Sequence, residues 1–270
     1  MRESLFYGGG VAFFVLGLLA GSFLGVVIHR LPRRESVLWP PSSCPACGAR
    51  LAWYDLVPVL SYLALRGRCR GCGGRISFRY PAVEILTTAL FVMVYAVLAG
   101  EFRSGAFPAG ARFGWVLAKD LFFTAGLIAA AFIDLEHRII PNRLILGLLA
   151  GAAVLVPLAG EVGLEYAALG GLAAGGLLLL LASVTRGGMG GGDMKFAAVA
   201  GLYLGWPMVM IGLFLGAVLG SIVGITLILA KKKTRKDFIP FGPYLAAGFF
   251  AAMLWGGEII QSYRLYFGVG

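Results

Sequence analysis

The sequence predicts an all-α protein that crosses a membrane about eight times and carries one long polar loop after its first transmembrane helix. Hydrophobic residues make up 59% of the chain and charged residues only 13%, whereas a water-soluble domain carries about 25% charged residues. The 41 glycines follow no Gly-X-Y repeat and suit closely packed membrane helices. These observations exclude collagen and disfavour a soluble enzyme or a disordered chain.

The apolar stretches define the spans, because about 20 apolar residues are needed to cross roughly 30 Å of hydrocarbon. Six such stretches occupy residues 6–28, 81–99, 113–133, 144–160, 164–184 and 240–260. A seventh, residues 196–230, is too long for one span and contains Gly205-Trp206-Pro207. Since proline disfavours helix at and before its own position, we predict two spans here, the first of them short.

The basic residues predict the orientation of these eight spans. With the N-terminus outside, the predicted cytoplasmic loops hold 18 of the 23 lysines and arginines, as expected when positive charge fixes insertion. These loops are residues 29–80, 134–143, 185–195 and 231–239. Arginines follow the first apolar stretch, so we expect a transmembrane helix there and not a cleaved signal peptide.

The same orientation explains the net charge of +10, so we expect no nucleic-acid partner. The lysine-rich residues 231–236 are expected to contact anionic membrane lipid. We predict three parts: a first transmembrane helix (1–28), a cytoplasmic domain (29–80) and a seven-helix membrane domain (81–270).

All four cysteines lie in the predicted cytoplasmic loop, as two C-x-x-C pairs, Cys44 with Cys47 and Cys69 with Cys72. Two such pairs can place four thiolates around one tetrahedral Zn²⁺. Disulfides, metal-free thiols and a redox pair are alternatives, of which disulfides are disfavoured in the reducing cytoplasm. We predict a closed structural zinc site that performs no chemistry.

Two aspartates stand at the cytoplasmic ends of predicted spans. Asp134 ends the third span, and Asp193 follows a glycine-rich run that begins at Gly187. Two carboxylates held together in a low-dielectric site tend to share a proton, so one can activate water while the other polarises a carbonyl. The simpler alternatives are that Asp193 caps a helix and that Asp134 pairs with Arg138. Glu84, near the start of the second span, is a weaker candidate for substrate or cofactor contact.

Six segments in this order resemble the type IV prepilin peptidases, membrane aspartic proteases with a GxGD motif. They are Gly17 to Pro32, the cysteine loop, Ile76 to Glu84, Ile133 to Pro141, Gly190 to Lys195, and Ile239 to Tyr244. The resemblance covers nearly the whole chain. It makes residues 81–270 the peptidase domain.

The resemblance implies that Asp134 and Asp193 are catalytic and that the four cysteines bind zinc. The residues expected to support the motifs are Gly190, Gly192, Lys195 and Glu84. It further implies cleavage of the basic leader of prepilins and pseudopilins after a glycine, on the cytoplasmic face of the bacterial inner membrane. N-methylation of the new N-terminus with S-adenosylmethionine is also expected, although no residues are assigned to that cofactor.

Three positions depart from the family pattern: Gly25, Asn142 and Gly191. Asn142 cannot ionise, which makes Asp134 the acid of its segment. A peptidase without methyltransferase activity, a proton-coupled transporter and a non-catalytic scaffold are the alternative functions. Against a transporter, both aspartates are predicted at one membrane face and the halves of the chain show no inverted repeat.

Overall fold

A computed structural model describes residues 2–105, 107, 111–184, 190–234 and 239–267. Within these residues the chain is helical, apart from turns, loops and two isolated β-bridges in the cysteine loop. The helices are α1 (Arg2–Arg30), α2 (Leu60–Ala64), α3 (Arg79–Ser104), α4 (Phe113–His137), α5 (Asn142–Ala159), α6 (Leu164–Val184), α7 (Gly191–Leu204), α8 (Met208–Leu229) and α9 (Gly242–Phe267), with a short 3-10 helix at Trp53–Leu56. The all-α membrane fold predicted from composition is confirmed.

Seven of the described helices, α1, α3, α4, α5, α6, α8 and α9, are long and apolar enough to cross a membrane. The helix predicted as the short sixth span, α7, has 14 residues. At 1.5 Å per residue it is about 21 Å long, below the roughly 30 Å of a full crossing. The structure therefore gives seven full-length spans and one shorter helix where eight spans were predicted.

The predicted break within the apolar stretch of residues 196–230 is confirmed. Helix α7 ends at Leu204, and α8 begins at Met208. Gly205 has a φ of +71°, a left-handed conformation that glycine adopts without a steric penalty.

The chain forms two compact units, residues 1–106 and 107–270. In the first, α1 and α3 pack with their backbones in close approach. A Cβ atom at Gly17 would lie 2.6 Å from Cα of Thr88, and one at Gly21 would lie 2.6 Å from Cα of Glu84. The first unit therefore contains both α1 and α3. The predicted domain boundary at residue 80 was drawn at the expected membrane surface, and it stays a prediction.

The second unit contains α4 to α9 around a core rich in aromatic side chains. Phe123 and Tyr203 stack with ring centroids 4.5 Å apart, and the Tyr203 hydroxyl donates to the backbone carbonyl of Leu148 at 2.7 Å. Glycines allow close contact between α6 and α7, where a Cβ at Gly201 would lie 2.4 Å from the Gly170 carbonyl group. The short α7 is therefore held inside this unit by packing on several sides.

The second unit also contains an ion cluster around a buried lysine, which we did not predict from the sequence. Lys119, only 3% exposed, lies 2.9 Å from a carboxylate oxygen of Asp120 and 3.0 Å from one of Glu161. Charges removed from water need such partners. Since Lys119 and Asp120 lie near the start of α4 and Asp134 near its end, this cluster and Asp134 occupy opposite ends of the helix.

Two predicted features lie partly outside the described residues. These parts are Gly187, Gly188 and Met189 of the glycine-rich run, and Arg235 and Lys236 of the predicted lipid-contacting cluster.

Candidate active site and cysteine cluster

Asp134 lies in the last turn of α4, with 5% of its surface exposed. Its Oδ2 atom accepts a 2.8 Å hydrogen bond from the backbone N–H of Gly242, the first residue of α9. An exposed N–H at a helix start carries partial positive charge and suits a carboxylate. The predicted alternative, an ion pair with Arg138, is not formed: Arg138 contacts Asp134 through its backbone N–H and the Asp134 carbonyl oxygen.

The contact between Asp134 and α9 requires glycine at position 242. A Cβ atom there would lie 2.9 Å from both Cβ and Oδ2 of Asp134, a distance that real Cβ contacts do not show. Gly242 was not among the site residues that we predicted. Its signal in the sequence is the segment Phe241-Gly242-Pro243, but only the fold reveals that the segment meets Asp134, 108 residues away.

Asp193 lies in the first turn of α7 and is 7% exposed. The helix begins at Gly191 with Gly190 as its N-cap, and the Asp193 side chain accepts a hydrogen bond from the backbone of Gly190. The alternative role of Asp193 as an N-cap is therefore wrong. Glycine at 190 leaves room for the carboxylate, because a Cβ at Gly190 would lie 3.2 Å from Oδ2 of Asp193.

The turn after α4 and the start of α7 are in direct contact. A Cβ at Gly192 would lie 3.1 Å from the Cβ of Ile140, so glycine lets the two backbones approach. Lys195 adds a second link, since its Nζ atom donates to Oδ1 of Asn142 at 3.0 Å. These contacts join the two segments that carry the aspartates.

The carboxylates of Asp134 and Asp193 consequently lie close enough to repel each other, although 59 residues separate them in the chain. Two buried carboxylates in electrostatic contact titrate as a pair and do not both ionise readily. Such a pair can bind one proton and hold a water molecule for attack on a carbonyl carbon. The arrangement is suited to hydrolysis of a peptide bond at a membrane-embedded helix end.

The cysteine loop folds as two similar turns. In the first, the backbone N–H of Cys44 donates to the Ala49 carbonyl; in the second, the N–H of Cys69 donates to the Gly74 carbonyl. Each turn then closes through a glycine at φ near +70°, Gly48 in the first and Gly73 in the second. The repeated geometry presents each C-x-x-C pair on a tight turn, as the spacing predicted.

The four sulfur atoms lie within 4.8 Å of one another, and the thiols are free. Sγ of Cys44 and Sγ of Cys72 are 3.9 Å apart, close to the roughly 3.8 Å between sulfurs in a tetrahedral site with 2.3 Å metal–sulfur bonds. Backbone hydrogen bonds from Cys47 and Ala46 lower the pKa of the Cys44 thiol to about 6, whereas hydrogen bonding to the neighbouring cysteines and burial raise the pKa of the Cys72 thiol to about 11. The cluster is thus suited to a thiolate-bound metal ion.

Glu84 is buried in α3 and has partners within its own unit. Its Oε2 atom accepts a 2.7 Å hydrogen bond from the backbone N–H of Val59, and Ser22 is a second partner. These contacts join α3 to the cysteine loop and to α1. The structure therefore shows an anchoring role for Glu84, and the predicted contact with substrate or cofactor stays a prediction.

The fold and these two sites define a multi-pass membrane protein with a buried aspartate pair and a loop whose four clustered cysteines could hold a metal ion. Comparison with known proteins agrees with that class. Residues 15–98 match the bacterial peptidase A24 N-terminal domain, and residues 121–225 match the type IV leader peptidase family.

Several relatives align over nearly the whole chain, and each is a prepilin leader peptidase/N-methyltransferase. The identity is 38% with the Bacillus subtilis strain 168 protein, over 93% of this chain and 96% of the relative. It is 38% with the Aeromonas hydrophila protein, over 94% and 93%, and 33% with the Pseudomonas aeruginosa protein, over 94% and 93%. No solved structure matches the chain. The chain belongs to the type IV leader peptidase family and is an enzyme of the peptidase class.

Proposed function

We propose that this enzyme removes the leader peptide from type IV prepilins and pseudopilins, cutting after a glycine. The observation that carries the proposal is the meeting of Asp134 and Asp193 at the ends of two helices, where both are buried. Relatives named for prepilin leader cleavage support the choice of substrate. The buried position suits a substrate whose cleavage site lies beside an apolar, membrane-embedded segment.

In the proposed reaction the two carboxylates together hold one proton and a water molecule. The ionised carboxylate takes a proton from the water as its oxygen attacks the carbonyl carbon of the leader glycine. The protonated carboxylate donates a hydrogen bond to the carbonyl oxygen and stabilises the charge that develops there. The C–N bond then breaks, and the leaving amine takes the proton that the aspartate pair received from the water. The N–H of Gly242 keeps Asp134 in position throughout.

We place the reaction at the cytoplasmic face of the bacterial inner membrane, with the N-terminus of the chain outside. The support is the charge distribution: the loops on the proposed cytoplasmic side hold 18 of 23 basic residues, in the sense of the positive-inside rule. In this orientation the turn after α4, the start of α7 and the cysteine loop face the cytoplasm. No nucleic acid takes part.

We propose that Cys44, Cys47, Cys69 and Cys72 bind one structural Zn²⁺. Four thiolates leave no open coordination position for a substrate, so the metal stabilises the loop and takes no part in cleavage. The distances between the sulfur atoms support a single shared ion.

We also propose that the enzyme methylates the new N-terminal amine, with S-adenosylmethionine as methyl donor. The names of its relatives support this second activity. Cleavage supplies the amine that a methyl transfer consumes, so the two reactions follow each other in a fixed order. We assign no residues to the methyl donor.

Mass spectrometry of a prepilin incubated with the purified enzyme tests these proposals. We expect loss of the leader without the methyl donor, and loss of the leader with a gain of one methyl group in its presence. Asp134→Asn and Asp193→Asn should each slow cleavage by at least about 10²-fold, because each removes a proton-transfer group. Glu165→Gln, which removes a charge from an exposed residue, is the matched control and should cleave normally.

Three results would contradict parts of the proposal. Normal cleavage by either aspartate variant would contradict the proposed aspartate mechanism. A prepilin that the unaltered enzyme leaves unprocessed would favour a transporter or a scaffold. Cleavage without methylation would leave a peptidase alone.

A further inference from the structure

The cysteine loop contains an apolar segment, residues 53–64, that has large side chains on its surface. Its twelve residues include a single charged side chain, Asp55, and that carboxylate is paired with Arg70 at 2.9 Å. Trp53 is 79% exposed, Leu60 64% and Leu63 63%. Exposed apolar groups clustered in this way mark a surface that meets something other than water.

The side chains are arranged on one side of a short helix. Leu60 and Leu63 are three residues apart in α2, and Ala64, also exposed, follows one residue later. Residues three and four apart share a helix face. Tryptophan is enriched at the boundary between lipid and water, where its ring bridges the two environments.

The depth of this segment is fixed by its hydrogen bond to a transmembrane helix. The N–H of Val59 donates to Glu84, and Glu84 stands five residues beyond Arg79, the first residue of α3. At 1.5 Å per residue, this contact is about 8 Å along the helix from its start. The middle of the segment therefore lies level with the transmembrane part of α3 and not above it.

The backbone bends sharply at this anchor. Val59 has a φ of +61°, a conformation that a β-branched residue rarely adopts and that needs local support. The bond to the buried Glu84 carboxylate supplies that support and turns the chain back at its deepest point. The segment enters at Trp53, reaches Val59 and leaves through α2.

The charge around the segment complements a lipid surface. Residues 29–80 contain nine arginines and two acids, and Arg66, Arg68 and Arg75, which follow α2, are exposed. Anionic lipid headgroups attract such residues. The basic leader of the proposed substrate would be repelled by them.

We propose that residues 53–64 form an interfacial anchor, inserted into the lipid surface where α1 ends and α3 begins. Trp53, Leu60 and Leu63 contact acyl chains, the arginines that follow contact anionic headgroups, and Glu84 holds the anchor at its depth. The bilayer thereby fixes the position of the cysteine cluster at the membrane. The proposal is independent of the peptidase reaction.

Fluorescence quenching in nanodiscs tests the proposal with the full chain. Trp39, Trp115, Trp206 and Trp255 are replaced by phenylalanine, leaving Trp53 as the only tryptophan. In discs of phosphatidylcholine and phosphatidylglycerol, lipids brominated on the acyl chains should quench most of the Trp53 emission. A chain that retains only Trp39 is the comparison, because Trp39 is also exposed but its segment is bound to the last residue of α1. We expect much weaker quenching of Trp39.

The role of Glu84 is tested in the chain that retains only Trp53. Glu84→Gln keeps an acceptor for the Val59 N–H and should preserve the quenching. Glu84→Leu removes the acceptor and should reduce it. Equal quenching in both variants would contradict the anchoring role of Glu84.

Photo-crosslinking of the unaltered protein guards against misfolding of the tryptophan variants. A lipid with a diazirine on its acyl chain should label residues 53–64, and more strongly in discs that contain phosphatidylglycerol than in phosphatidylcholine alone. Absence of both labelling and quenching would overturn the proposal. If brominated lipid does not quench Trp53, and the Trp53 emission shifts when prepilin is added, the surface would bind the substrate instead of lipid.

Discussion

The cysteine cluster joins residues that are near one another in the chain, whereas the aspartate pair joins residues that are far apart. Both sites bring acidic groups together. The cysteine cluster uses residues 44–72, two short turns of similar geometry. The aspartate pair uses the end of α4, the start of α7 and the start of α9, with Asp134 and Gly242 separated by 108 residues. The first site depends on local turns, whereas the second depends on the packing of the whole second unit.

The largest effect is expected at the point where this long-range packing meets the Asp134 carboxylate. Gly242→Ala would place a Cβ 2.9 Å from Asp134 and push α9 away from the carboxylate. Because displacing a catalytic group by about 1 Å can cost about 10²-fold in rate, we expect a loss of that order in prepilin cleavage. A timed cleavage assay measures it.

Gly257→Ala is the matched control for that change. It lies on the same helix, and a Cβ there would meet no atom within 4 Å. We expect cleavage close to that of the unaltered enzyme. Equal losses in the two variants would mean that any side chain added to α9 is harmful, and would contradict the specific role of Gly242.

Loss of the metal should affect the cysteine loop more than the aspartate pair. Cys44→Ser, or a chelator, should abolish zinc binding and make residues 42–76 accessible to protease and to hydrogen exchange. Protons compete with metal for thiolates. The pKa of the Cys44 thiol is lowered to about 6 and that of the Cys72 thiol is raised to about 11, so the thiols do not release their protons together, and zinc should be released as the pH falls into the acidic range.

Metal content by elemental analysis and cleavage by the same assay separate the two sites. We expect one zinc per chain and a smaller loss of cleavage in Cys44→Ser than in Gly242→Ala. A chain that loses all cleavage on gentle chelation, with its loop still protected, would show that the metal takes part in the reaction.

The smallest effect is expected at the hydrogen bond between Lys195 and Asn142. A bond of this kind contributes about 1 kcal/mol, so Lys195→Met should slow cleavage only a few-fold by loosening the contact between α7 and the turn after α4. Asn142→Asp keeps an oxygen acceptor for Lys195 and should cleave at least as fast as the unaltered enzyme. A slow Asn142→Asp variant would contradict this positioning role.

Sequence reasoning reached the local features of the molecule most directly. The apolar stretches and the Gly205-Trp206-Pro207 break predicted the helices, and the spacing of the cysteines predicted their cluster. These signals work because hydrophobic length and turn geometry are properties of neighbouring residues. The length of α7 was harder to predict from the sequence. Because α7 is buried inside its unit, its 14 residues are as apolar as those of a helix that crosses the membrane.

The long-range contacts could not be predicted in the same way. Nothing near Gly242 indicates that its N–H meets Asp134, and nothing near Glu84 indicates that it binds Val59. The cluster of Lys119, Asp120 and Glu161 could not be predicted either, because Glu161 comes from the segment between α5 and α6. Such partners are fixed by helix packing, which the sequence of each segment does not contain by itself.

The central claim is that Asp134 and Asp193 form one coupled site, and a double-mutant cycle on stability tests it without relying on activity. The free energy of unfolding in detergent is measured for the unaltered chain, Asp134→Asn, Asp193→Asn and the double variant. Contacting charged groups show coupling of about 0.5–3 kcal/mol. We predict coupling in this range, because removing either charge relieves the repulsion and the second removal then gains less. Strict additivity of the two changes would contradict the claim and place the aspartates in separate environments.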